Sequence, residues 1–90
     1  MATRQVWLGN IPLNMTEGSI IQHFHELGIP PPWKALTRSG ASGLCQYTVA
    51  TFETVREAQV ILGTRLCWPD GKHAIIRLAL HMHVPIHLYL

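Results

Sequence analysis

The chain has little charge, little cysteine and no long apolar run, and each shortage excludes something. Charged residues make up 13% of its 90 residues, and seven Lys and Arg against five Asp and Glu leave a net charge of +2. That field is too weak for a protein that wraps a nucleic acid by charge alone, although it admits an anionic partner. Two cysteines, Cys45 and Cys67, are too few for a disulfide framework and lack metal-type spacing. The apolar runs are brief and interrupted, so neither a secretory leader nor a membrane span is expected. Without a leader, Asn14-Met15-Thr16 is not read as a glycosylation site despite its sequon form. The expected setting is intracellular, nuclear or cytoplasmic, with both thiols reduced. A hydrophobic content of 48% marks a folded chain, and its length suits one small domain.

What is present alternates between strand and helix signals. Gln5 to Leu8 reads as a first strand, with Val6 and Leu8 on one side and Trp7 on the other. Thr16 is placed to cap a helix, and Glu17 suits the positive end of its dipole. Ile20, Ile21, Phe24 and Leu27 form the apolar stripe of that helix, and Gly28 supplies the stop. Ile29-Pro30-Pro31-Pro32 forbids regular structure. A second strand follows from about Trp33 to Arg38, then the small loop Ser39-Gly40-Ala41-Ser42-Gly43, then a third strand from about Leu44 to Phe52. Thr54 and Glu57 have the spacing of a reciprocal capping box. The helix they open buries Val55, Ala58, Ile61 and Leu62 and ends at Gly63. Arg65 to Cys67 suits a short hairpin arm before the Pro69-Asp70-Gly71 turn. Ala74 to Leu80 is the fourth strand, with Ala74, Ile76 and Leu78 inward.

Strand, helix, strand, strand, helix, strand is the order of an α+β, ferredoxin-like sandwich. In it two helices cover one face of a four-stranded antiparallel sheet. The domain should span residues 5–80, and its other face is left open to a ligand. Trp7 belongs to that open face, where an aromatic ring suits base stacking. By alternation Cys45, Tyr47 and Val49 of the third strand, and Ile75 and Arg77 of the fourth, join it.

The hexamer Val6-Trp7-Leu8-Gly9-Asn10-Ile11, with Pro12, Thr16-Glu17, Ile20 to Phe24 and Gly28, resembles the start of the RNA recognition motif family. The resemblance covers residues 5 to 80 and places Trp7 at the family's first-strand stacking position. The family's third-strand octamer is K/R-G-F/Y-G/A-F-V-x-F/Y. Here it aligns with Cys45-Gln46-Tyr47-Thr48-Val49-Ala50-Thr51-Phe52. Tyr47 takes the first aromatic position and Phe52 the core one. Cys45 replaces the basic residue, Gln46 the glycine and Val49 the second aromatic. Two stacking rings remain where a complete member has three, and each stacked base is worth about 1–3 kcal/mol.

The resemblance implies a single-stranded RNA-binding module. Its site set is Trp7 and Tyr47 for stacking, Arg77 for a polar contact, and Val49, Ile75, Asn10, Lys34 and Arg38 around them. Lys72 is a further cation at the rim. The alternative is a protein-docking module of the same fold, its apolar open face covered by a partner or by its own tail. One docking subtype of the family uses an Arg-x-Phe loop, and Arg65-Leu66-Cys67 lacks the Phe. No enzyme is expected, because no nucleophile and base can be brought to one end of the sheet. Acylphosphatases share the arrangement, but their glycine-rich, arginine-bearing phosphate loop is missing. No cofactor or metal is implied either. His23 and His25 read as solvent-facing on the first helix, and His81, Met82, His83 and His87 belong to an apolar, His-rich tail of residues 81–90. The tail should pack on the domain or pair with a second copy through Ile86, Leu88 and Tyr89.

Overall fold

A computed structural model describes residues 3–79. Its elements are β1 (Gln5–Ile11), α1 (Glu17–Leu27), β2 (Thr37–Ser39), β3 (Gln46–Thr51), α2 (Val55–Leu62) and β4 (Ile75–Leu78). The strands pair antiparallel in the order β2-β3-β1-β4, which is the ferredoxin-like α+β fold expected from the pattern. The expected tail lies outside the described residues, as do its histidines and Leu80.

The core forms between the sheet and the helices. Val6, Leu8 and Ile11 of β1, Ala50 of β3, Phe52, Ile20 and Phe24 of α1, and Ala58 and Ile61 of α2 are all fully buried. Phe24 sits between Phe52 and Trp68, at ring centroid distances of 6.3 and 6.4 Å, in the tilted geometry that aromatic pairs favour. Each helix starts where its cap residue dictates. Thr16 Oγ1 accepts from the Ser19 N–H, and Ser19 Oγ accepts in turn from the Thr16 N–H, closing a box around the start of α1. At the other end Gly28 adopts φ 71°, and Ile29 donates back to the Phe24 carbonyl. This left-handed turn ends the helix and carries Ile29 onto the core.

Several expectations are corrected. The strand β1 runs on to Ile11 through a bulge: it advances three residues from Leu8 to Ile11 while β3 advances two, from Thr48 to Gln46. Asn10 takes φ 63° there, a conformation that asparagine tolerates better than most residues. The extra residue keeps both Leu8 and Ile11 on the core side. The second strand is shorter than expected because its edge is diverted. The Ala35 N–H donates to the Glu17 carboxylate at 2.6 Å, and the Leu36 carbonyl accepts from the Thr48 hydroxyl at 2.8 Å. Only a bridge between Lys34 and Thr51 precedes Thr37. Leu27 is 49% exposed rather than part of the buried stripe, since the chain turns away beneath it at Gly28. Leu78 faces the helix side as expected, opposite Val6, yet stays 38% exposed because β4 is an edge strand. The box at α2 is half a box. Thr54 Oγ1 accepts from the Glu57 N–H at 3.1 Å, with no return bond from Glu57 among the described residues.

Candidate nucleic-acid interface

The strand register decides which side chains share the helix-free face, because directly opposed residues of neighbouring strands point the same way. Trp7 lies opposite Val49 on one side and Arg77 on the other. Gly9 lies opposite Ile75, Arg38 opposite Tyr47, and Lys34 opposite Thr51. Seven of the eight residues expected at the site therefore come from four chain segments onto one surface. The eighth, Asn10, stands at its margin in the bulge.

Trp7 and Tyr47 are the centre of that surface. Their rings stack with centroids 5.8 Å apart and planes inclined by 26°. Both are half-buried, so each keeps exposed ring surface. The Trp7 indole lies down over Gly9. A Cβ built on Gly9 would come within 2.5 Å of Trp7 Cη2 and 2.6 Å of Cζ3. A glycine two residues along the strand thus provides the space in which the ring lies.

Two shallow grooves flank the rings. One, of about 630 Å³, runs between Trp7, Tyr47, Cys45, Asn10 and Ile75 and the loop that follows β2. The other, of about 280 Å³, runs from Tyr47 and Val49 to Lys34, Leu36 and Arg38. Leu36 belongs to the face although the motif does not point to it. It is 55% exposed, and its parity with Lys34 and Arg38 was the available signal. Lys72 stands elsewhere, in the turn that joins the 66–68 arm to the 72–74 arm.

The charges are segregated. Lys34, Arg38 and Arg77 occupy the open face, whereas none of the five acidic residues falls on a strand. Glu17 and Glu26 are on α1, Glu53 and Glu57 at and near the start of α2, and Asp70 in the hairpin turn. Glu17 alone reaches the sheet, where its carboxylate accepts from the Ala35 N–H at the β2 edge beside Lys34.

The support beneath Trp7 comes from a residue that sequence reasoning missed. Trp68 is buried, and its Nε1–H donates to the Gly9 carbonyl at 3.1 Å. The hairpin that carries it is closed by the Trp68 N–H to the Lys72 carbonyl and by the Ala74 N–H to the Leu66 carbonyl. From the same hairpin the His73 carbonyl accepts from Asn10 Nδ2 at 3.0 Å. The bulge is thus fastened at two points. His23 leans on Trp68 with centroids 5.9 Å apart, and its Nε2 donates to the Cys67 carbonyl at 2.7 Å. It is half-buried and packed, not solvent-facing as expected, whereas His25 is exposed.

Cys45 and Cys67 are free thiols. Among the described residues no group of three or more His, Cys, Asp and Glu is arranged to hold a metal ion, and no helix is long and apolar enough to cross a membrane. No protein-family model matches the chain, and no curated protein matches it.

Proposed function

We propose that this domain is a non-enzymatic module, acting inside the cell in the nucleus or cytoplasm, that binds single-stranded RNA on its helix-free sheet face. Trp7 and Tyr47 each take the face of a base, and Arg77, Lys34 and Arg38 hold the phosphates that flank them. The observation that carries this reading is the Trp7–Tyr47 pair, half-buried on a face that holds three cations, with no Asp or Glu on any of its strands. The resemblance of β1 to the first-strand motif of RNA recognition motifs supports the same reading.

Protein docking on this face draws on Leu36 and Ile75, which are 55% and 42% exposed beside the rings. Three cations spread across the face, from Lys34 and Arg38 at one edge to Arg77 at the other, favour a polyanion over an apolar peptide. Titration of the chain with a pool of short single-stranded RNAs, followed by tryptophan fluorescence, tests the proposal. Saturable quenching with a Kd below about 1 mM supports it, and no change up to that concentration removes it.

A further inference from the structure

An RNA strand on this face meets few groups able to tell one base from another. Sequence is read on base edges by side chains with fixed donor and acceptor patterns, above all amides, carboxylates and Arg. The amides around this face are already committed. Asn10 Nδ2 donates to the His73 carbonyl at 3.0 Å. Gln46 Nε2 donates to the carbonyls of Pro12 and Met15 at 2.8 and 2.9 Å. Gln5 Nε2 donates to the Thr51 hydroxyl at 3.3 Å. Each bond fastens the fold: Asn10 ties the bulge to the hairpin, Gln46 ties β3 to the loop before α1, and Gln5 ties β1 to β3. Turning one of these amides toward a base would break a contact that shapes the face. The carboxylates, which read cytosine, are absent from the strands.

What remains on the surface is two stacking rings, three cations, apolar side chains, the Cys45 thiol and the hydroxyls of Ser39 and Ser42, which can pair with any base and so select none. Stacking accepts every base because each has a π-face, and phosphate contacts carry no sequence information. We infer that the face binds single-stranded RNA with little discrimination between bases, acting as a general strand holder rather than a sequence reader. This inference rests on the RNA reading above. Arg38 and Arg77 bear most directly on the test, since an Arg that forks onto guanine O6 and N7 would create a preference.

The test is a fluorescence titration of the full chain, at one ionic strength, with four RNAs of about eight nucleotides. Three are oligo(A), oligo(C) and oligo(U), and the fourth is a U-tract interrupted by guanines. One good bidentate base contact discriminates by about 5- to 160-fold, so the account expects all four Kd values to agree within about fivefold. A preference of about tenfold or more for any one RNA, removed by Arg38→Gln, Arg77→Gln or Asn10→Ala or by none of them, overturns the inference while leaving RNA binding intact. Failure of all four to bind removes the RNA reading itself, and this inference falls with it.

Discussion

The Trp7 indole covers Gly9 so closely that a methyl group at residue 9 would fall 2.5 Å from Trp7 Cη2. The two residues work as a unit: the glycine leaves the hollow, and the ring lies in it. Because the clash is with the far end of a side chain, Gly9→Ala should displace the ring more than it unfolds the domain. The account expects a stability loss of about 1–3 kcal/mol, as for overpacking. It also expects an RNA affinity reduced by about the 1–3 kcal/mol that one stacked base contributes. Urea denaturation and fluorescence titration measure the two effects separately, and unchanged affinity would disconnect the ring's position from binding.

Trp68 holds the other side of Gly9. In Trp68→Phe the Gly9 carbonyl loses its indole donor while most of the aromatic packing against Phe24 is kept. A buried acceptor left unpaired costs about 1–3 kcal/mol. The variant should unfold at a lower urea concentration with an unchanged m-value. Wild-type stability would mean that the indole bond contributes nothing.

Three tryptophans are present, and they should behave differently. Trp7→Ala and Tyr47→Ala should each weaken RNA binding by about 1–3 kcal/mol while the circular dichroism spectrum stays native. Trp33 is 60% exposed but has the opposite parity to Lys34 and Leu36, so Trp33→Ala should leave affinity unchanged. Equal losses from Trp33→Ala and Trp7→Ala would place the ligand elsewhere.

Salt gives an independent count of the phosphate contacts. If Lys34, Arg38 and Arg77 each neutralise one phosphate of a single strand, log K should fall against log salt concentration with a slope of about −2. Arg77→Gln should make it shallower by about 0.7. A slope near zero would mean that the cations take no part.

The parts of this fold that were legible in the sequence are those fixed by local chemistry. Thr16 and Thr54 cap their helices, Gly28 turns the chain left-handed after Leu27, and alternation along β3 and β4 assigns Tyr47, Val49, Ile75 and Arg77 to one face. What escaped depends on partners distant in sequence. The bulge at Gly9 and Asn10 is held by Trp68 and His73, which lie 59 and 63 residues away. Nothing near Gly9 announces them. The shortened β2 ladder likewise depends on Thr48, whose hydroxyl takes the Leu36 carbonyl 12 residues away, and β-propensity alone cannot see that competition. Glu17 was read for its effect on the helix dipole, and it also occupies an edge donor, the Ala35 N–H.

The central claim is that RNA lies on the helix-free face, and amide chemical-shift mapping during an RNA titration tests it most directly. The account predicts that the largest shifts fall on Trp7, Gly9, Arg38, Tyr47, Val49 and Arg77, together with the Trp7 indole N–H. Residues of α1 and α2, on the far side of the sheet, should stay still. Shifts centred on the helices, or none on the strands at saturating RNA, would contradict it.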